Sequence, residues 1–402
     1  MPSSPTTRIA IVGAGLGSLV LARILQLRKS ANLSFVIYES DADASTHTGL
    51  DGLLNLKYES GQRALREAGL HPQFVKLCRP VRHHIRVLDK RGTLLHDAPG
   101  ECYSREIDAG HLRGLLLESL EPNTVHWAHK ATAVRRDLTS GKYTIVFESG
   151  EVAEGIDIIV GADGSSSHIR SLVWPGVQPV YSGITFIQSQ VNLAEDPHFG
   201  LPIDEGVLFA LEDGKGIMAQ HDSKGRIMLY IALRVPEDWV TTSAIALAAD
   251  PSERITLLLE EFEGWNKQLV GLVRAGERPT LRAIYTLPSD GRPRANTDNI
   301  VLLGDAAHLM SSFAGEGANL EMADATDLAK HLIAGKSLEK YERLIRHRAT
   351  ESAHESALNL ELFFGQNAAE DVATLFKSQV LPRNVAGIVD SFSGGYVRSL
   401  FF

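Results

Sequence analysis

Three turns, each pairing glycines with a carboxylate, carry the chemistry open to this chain. The first runs Gly13, Ala14, Gly15, Leu16, Gly17, Ser18, directly after the apolar run Arg8 to Val12. Its first two glycines match the GxGxxG fingerprint, in which a tight turn brings the amides of a helix N-terminus close to a pyrophosphate. Ser18 stands at the third glycine position and is small enough for close helix packing. Glu39, at the end of the next apolar run, is placed to accept from ribose hydroxyls. Taken alone, such a turn also serves as a packing turn with no ligand.

The second turn lies in the run Asp157 to Arg170, where an apolar stretch ends in Gly161 and Asp163 and Gly164 lead into a helix start. It offers a carboxylate and open backbone groups at a sheet edge, although Asp163 by itself also reads as a helix cap. The third is Gly304, Asp305, Ala306, Ala307, His308, followed by Gly315, Glu316, Gly317, Ala318 and Asn319 opening another helix. Asp305 can accept from sugar hydroxyls, and the second glycine pair presents amides and a positive helix end to an electron-rich ring edge.

The elements that must hold these turns are legible around them. Arg8 to Val12, the helical spacing of Leu19 to Leu27 and the run Phe35 to Tyr38 make a βαβ unit of about thirty residues. Helical spacing recurs at Gly61 to Ala68 and Leu112 to Leu120, with a hairpin between Ile85 to Leu88 and Thr93 to Leu95. Tyr143 to Phe147 and Gly150 suggest a hairpin feeding one buried strand, Ile156 to Gly161. From Trp174 to about Tyr285 the pattern becomes strand-rich, with Thr185 to Val191, Gly206 to Ala210 and Arg226 to Leu233, and one helix near Ser252 to Gly264. Ile300 to Leu303 and the helix Asn319 to Ile333 return to the first style, helical spacing continues from Leu338 to Phe364, and Pro382 to Phe402 shows no period.

In this order the three turns resemble the single-component FAD-dependent monooxygenases of the para-hydroxybenzoate hydroxylase type, most of all the tetracycline-inactivating flavin monooxygenases and their fungal relatives. The resemblance spans Arg8 to Phe364 and includes Ser60, Gly61, Gln62, Leu112, Arg113, Phe186 to Gln188, Pro236 to Trp239 and Gly304 to Met310. It implies an α/β fold: a Rossmann-like FAD-binding lobe of the GR2 type, an inserted sheet-rich substrate lobe and C-terminal helices. The expected FAD-binding domain is discontinuous, 1–72, 101–173 and 286–355, with 73–100 and 174–285 as substrate domain and 356–402 as helical segment and tail.

The resemblance further implies non-covalent FAD, with Gly13, Gly15 and Glu39 on the adenosine half, Arg113 and Asp305 along the linker, and Gly315, Glu316, Gly317 and Ala318 beside the isoalloxazine. Asn55 and Asp163 are further cofactor-binding positions, and Gln188 keeps a substrate-side position. NADPH would reduce the flavin and O2 would add to it, the resulting flavin hydroperoxide delivering oxygen to an aromatic, enolic, indolic or polyketide-like small molecule. With the cofactor performing this chemistry, no catalytic residue is assigned. Four departures stand out. Ser311 and Ser312 replace proline common beside the flavin, Thr48 and Asn55 replace an arginine and an aspartate of the tetracycline enzymes, and Gly216 replaces an arginine used there for substrate.

Composition narrows the remaining classes. The chain has 402 residues, 44% hydrophobic, with 40 basic and 49 acidic side chains and a net charge of −9, so no global positive field favours nucleic acid. Cys78 and Cys102, the only cysteines, provide neither a disulfide framework nor zinc-ligand spacing. No run of about 18 apolar residues could span a bilayer. A cytoplasmic monomer without metal, active in secondary metabolism, is expected. His308 reads as packing behind its turn, His221 as a weak candidate base, and Arg79, Arg82, His83, His84, Arg86, Arg135 and Arg136 as surface. Two alternatives stand beside oxygen transfer: a flavin-dependent oxidase, reductase or cyclase, suggested by Ser311 and Ser312, and a nucleotide-binding regulator without turnover.

Overall fold

Short runs rich in β-branched residues, apolar on both sides, favour parallel strands covered on both faces. In the computed structural model, which describes residues 6–29, 32–46, 53–81, 84–99, 104–192, 200–201, 203, 206–212, 214–221, 225–288 and 299–377, five such runs form one sheet. Its order is Ile300–Leu302, Ile158–Gly161, Thr7–Val12, Leu33–Tyr38, Val125–His126, and every pair is parallel. The chain leaves Thr7–Val12 toward one side and Ile158–Gly161 flanks it on the other. That divergence is a switch point, where an open α/β sheet leaves a crevice beyond its strand ends. Helices Leu16–Arg28 and Gly317–Ile333 pack together over this sheet, and Ile11, Leu19, Leu21, Val160 and Leu328 are fully buried between them.

The expected single strand Ile156 to Gly161 is two strands. Val152–Ile156 runs antiparallel to Tyr143–Phe147, whereas Ile158–Gly161 joins the parallel sheet. The break falls at Asp157, whose carboxylate accepts from the Arg8 amide at 2.9 Å and pairs with Lys142 Nζ at 2.6 Å. These polar ties hold the chain where it crosses from one sheet to the other.

A seven-stranded sheet takes the order Glu277–Thr286, Val180–Asn192, Arg226–Arg234, Lys215–His221, Val207–Glu212, His84–Leu88, Leu94–Pro99. All its pairs are antiparallel except Val207–Glu212 with His84–Leu88. Alternation sorts its side chains onto two faces. Ile187, Leu229 and Ile231 pack with Leu258, Phe262 and Leu269 on one side, while Phe186, Phe209 and Tyr230 pack with Phe313, Phe363 and Val372 on the other. The second face thus lies directly against the segment that follows the Gly304–His308 turn. Its cover includes helix Ala368–Lys377, which the sequence pattern did not single out. The apolar run Leu53–Leu56 and the polar Ser104–Asp108 also escaped that reading and pair in a small three-stranded sheet with Arg79–Val81.

Arg86 corrects its surface assignment. It is only 7% exposed, with Nε 3.3 Å from Asp97, and His84 Nε2 shares the same carboxylate. A paired carboxylate is what permits a guanidinium to be buried there. Arg135 and Arg136 are exposed, as expected. Arg82, His83, Thr48, Cys102 and the tail from residue 378 lie outside the described residues. Among the described residues no helix is long and apolar enough to cross a membrane.

Glu342, on helix Leu338–Phe363, is 8% exposed, and burial pushes its carboxyl up to about 8 against the opposing field of Arg346. A carboxyl whose folded-state pKa is raised stabilises the fold below its unfolded value and loses that contribution as pH rises toward 8. Glu342→Gln should therefore melt like the parent near pH 5 and several degrees higher near pH 9. Thermal melts across that range check this, and parallel pH profiles for parent and variant would remove Glu342 as the titrating group.

Candidate functional site

At the first turn the backbone leaves no room for a side chain. Gly13 has φ of 103°, and a Cβ there would sit 2.2 Å from the carbonyl oxygen of Ala162, so strands Thr7–Val12 and Ile158–Gly161 can end side by side only with glycine. Its amide donates to Tyr38 O at 2.8 Å, tying the turn to the third strand end. Glu39 is buried, and its Oε2 accepts from the Ala14 amide at 2.5 Å while Oε1 accepts from Ser40 Oγ and the Asp41 amide. Helix Leu16–Arg28 begins at Gly15 with no side-chain cap, which leaves the amides of its first turn for other acceptors.

The second turn is organised by capping. Asp163 Oδ2 accepts from the His168 and Ile169 amides at 2.8 and 3.1 Å, and Oδ1 from Ser167 Oγ, while Ser167 itself caps helix His168–Val173. Asp163 is thereby a helix-capping carboxylate that also lines the cleft. Behind it Arg170, 2% exposed, donates to Ser165 O at 2.5 Å and to Asp305 O and Ala306 O at 3.3 and 3.4 Å. This one guanidinium fastens the second turn to the third. Sequence reading passed over it because its role requires the two turns to meet.

The third turn brings Asp305 to the centre. The residue is half-buried, its Oδ2 is shielded from solvent with no hydrogen-bond partner among the described residues, and desolvation and the neighbouring Glu321 raise the carboxyl well above the usual carboxylate range, with Arg170 opposing. An orphaned buried oxygen of this kind is costly unless a ligand donates to it. His308 packs behind the turn, its Nε2 2.7 Å from Asp324 Oδ2, and Arg348 ties Asp324 to Asp327. The packing role expected of His308 is therefore the one it has.

Glu321 was not among the expected residues. On helix Gly317–Ile333 it falls one turn before Ala325 and two before Leu328, a carboxylate on the buried apolar stripe, and that is the signal that could have found it. Its Oε1 accepts from the Gly17 amide at 2.8 Å. Together with Gly13, Ala14, Gly15, Glu39, Asp41, Arg113, Asp163 and Asp305 it walls a cleft of about 410 Å³. Arg113 is buried beside Asp41, its Nη2 3.9 Å away, and donates to Ala44 O at 3.3 Å.

At the far end Gly315 has φ of 58°, and Gly317 opens its helix with Glu316 before it. Asn319 anchors this end. Its Oδ1 accepts from the Lys57 and Gly61 amides and Ser60 Oγ, and its Nδ2 donates to Asn55 O at 2.9 Å. Asn55 is buried on strand Leu53–Leu56 and meets the site through its backbone, and the Ala318 backbone lies within the same first helical turn. Lys57 Nζ pairs with Glu316 Oε1 at 2.5 Å, and burial pushes the neighbouring Glu355 up to about 7.

Ser311 adopts φ −63° and ψ 154°, a backbone that proline would also hold. Hydrogen bonds to Ser356 fix it, with the hydroxyls 2.5 Å apart, and Asn359 Nδ2 donates to Phe313 O at 2.6 Å. The wall is thus braced from helix Leu338–Phe363. Opposite it, Phe186 lies 5.9 Å from Phe313. Strand register puts Gln188, Tyr230 and Arg282 on the Phe186 face. His221 pairs with Ile227 on the opposite face and so points away from Phe313. A Cβ on Gly216 would lie 3.1 Å from Leu211 Cδ2 and 3.4 Å from Phe364 Cε1, so the position faces the apolar cover of the sheet.

Among the described residues no cluster of His, Cys, Asp and Glu could hold a metal ion. The glycine turn and the orphaned Asp305 oxygen fit a dinucleotide running from Glu39 toward Gly315, provided that Glu321 yields the Gly17 amide. Comparison with known proteins agrees. The chain is 30% identical to monooxygenase penA of Penicillium thymicola across 92% of this chain and 98% of that protein. In fold it is similar to HpxO of Klebsiella pneumoniae, solved with FAD and uric acid, at a TM-score of 0.76 and 19% identity over 96% of each chain. Tetracycline destructase Tet(51) is similar at 0.69 and 16% identity, over 96% of this chain and 99% of that one. Residues 6–355 match the model of the FAD binding domain family, so the chain belongs to that family and is an FAD-dependent oxidoreductase of the monooxygenase class.

Proposed function

We propose that this enzyme uses NADPH and O2 to oxygenate an aromatic, enolic or indolic small molecule. The observation that carries this reading is the contact of the Phe186 face with the braced Ser311–Ala314 wall, 5.9 Å between the Phe186 and Phe313 rings, just ahead of the start of helix Gly317–Ile333. Bound FAD supplies hydride acceptance and oxygen activation. The chain's own residues do the rest. Asp305 offers its unpaired oxygen to sugar hydroxyls, and the amides of Gly317 and Ala318 present positive charge to the ring edge. Phe186, Tyr230 and Phe313 exclude water. Gln188 and Arg282, half-buried on the same face, orient a substrate oxygen by hydrogen bonding. Non-covalent attachment, a secondary-metabolite substrate and a cytoplasmic monomer belong to the same proposal.

Serine in place of the common proline at Ser311 and Ser312 motivates a second reading, a flavin-dependent oxidase, reductase or cyclase without oxygen transfer. Oxygenated product measured by mass, against bare peroxide release during NADPH oxidation, separates the two.

Heat denaturation and filtration should release FAD from the purified yellow protein. Asp305→Ala should lower FAD affinity about tenfold or more, since an unmet set of sugar donors costs about 1–3 kcal/mol, without lowering the melting temperature of the apoprotein. Asp163→Ala should do the reverse, retaining FAD while losing about 1 kcal/mol of stability with its helix cap. Fluorescence titration and melting of both variants decide the assignment, and equal flavin affinity in the Asp305 variant and the parent would remove it.

Gln188→Ala should keep FAD binding intact while raising peroxide formed per NADPH consumed, because a misoriented substrate lets activated oxygen escape. Unchanged coupling in a destabilised variant would show instead that Gln188 serves only the strand.

A further inference from the structure

The glycines of two different turns surround one side chain. A Cβ added at Gly15 would come 3.0 Å from Glu321 Oε1, one at Gly17 would come 2.6 Å from its Cγ, and one at Gly304 would come 2.9 Å from the same atom. Glu321 is half-buried on the cleft wall, and its carboxyl already takes the Gly17 amide, a donor in the first turn of helix Leu16–Arg28, which its own N-cap residue leaves without a side-chain cap. Such amides are the groups that a dinucleotide turn offers to a pyrophosphate. One donor and one space therefore have two claimants, one of them internal.

We propose that Glu321 is a built-in competitor for the cofactor's diphosphate. It caps helix Leu16–Arg28 when the diphosphate is away and must swing off the Gly17 amide for FAD to seat. The inference rests on the FAD-binding reading above and adds to it a residue that sets how tightly, and at what pH, the cofactor is held.

Charge gives the competition a direction. Glu321 faces Asp305 and His308 from the Asp305–His308 turn and Asp324 from its own helix, and the cleft it lines also holds Glu39, Asp41 and Asp163, with Arg170 behind the second turn and Arg113 beside Asp41. Burial raises Glu321 above the ordinary carboxylate range, Asp324 adding to this while His308 and the Gly17 amide oppose it, and Asp305 lies well above that range. A diphosphate brought beside them carries two further negative charges and raises both carboxyls again. Cofactor binding thus takes up protons, and affinity falls as pH rises.

The test titrates FAD by flavin fluorescence into the full-length parent, Glu321→Ala and Glu321→Gln, from about pH 6 to pH 9, with an apoprotein melt for each. Glu321→Ala should bind FAD about tenfold or more tighter at the alkaline end, the scale of one lost charge-assisted hydrogen bond. Its pH slope should be shallower than the parent's and its apoprotein should melt lower for want of the cap. Glu321→Gln keeps an acceptor for Gly17 without the charge, so its slope should flatten with a smaller gain in affinity. Equal affinities and slopes in parent and Glu321→Ala would overturn the proposal while leaving the FAD reading intact. Weaker binding by Glu321→Ala would overturn it by making Glu321 a cofactor ligand. Absence of FAD binding in all three proteins at every pH would overturn both readings together.

Discussion

Burial of carboxyls around a helix N-terminus is the constraint on which the rest of this site depends. Five acidic side chains, Glu39, Asp41, Asp163, Asp305 and Glu321, line the cleft proposed for a dianionic linker, against Arg113 and Lys130 among its walls. Coulomb repulsion alone would make such a cleft a poor anion site. Attraction must come from backbone amides, whose donors are fixed in place and have no water to lose. That is why the turns have to be held so firmly, and why so much of the buried polar structure lies behind the cleft rather than in it.

The holding is done by a few side chains that each join two segments distant in sequence. Arg170 joins the second turn to the third, Asn319 joins helix Gly317–Ile333 to the segment from Asn55 to Gly61, and Arg348, with Asp324 and His308, joins helix Leu338–Phe363 to helix Gly317–Ile333 and the third turn. Each is buried or half-buried and bonded to partners on the other segment, so removing one leaves donors or acceptors stranded in low dielectric. These residues act through position. None of them lines the cleft itself.

The fold was legible wherever pattern and local geometry coincide. Apolar runs gave the parallel strands, and glycine positions gave the turns, because both follow from neighbours in sequence. What escaped was tertiary. Asp157 splits an apolar run only because Arg8 and Lys142 meet it from elsewhere, and Arg86 is buried only because Asp97 lies across the hairpin. Ser104–Asp108 is a strand despite its polar sequence because two other strands flank it. Glu321 carried a readable signal, a charge on an apolar helical stripe, yet its meaning depended on which glycines that stripe would face. Asp163 was legible as a helix cap, and the structure shows that cap while setting the residue on the wall of the cleft.

The substrate side follows a different logic from the cofactor side. Where proline would stiffen the wall through its ring, Ser311 reaches the same backbone angles and is stiffened by hydrogen bonds to Ser356. The brace therefore belongs to helix Leu338–Phe363, and the geometry of the Ser311–Ala314 wall is coupled to how that helix packs. The same helix sends Phe363 against Phe209 and Phe313, so the aromatic face and the wall share one support. A substrate that pushes on Phe186 or Phe209 would press on the brace as well. Movement of any one of these rings is therefore transmitted to the others and to the brace, because the groups in contact are aromatic and their positions are linked.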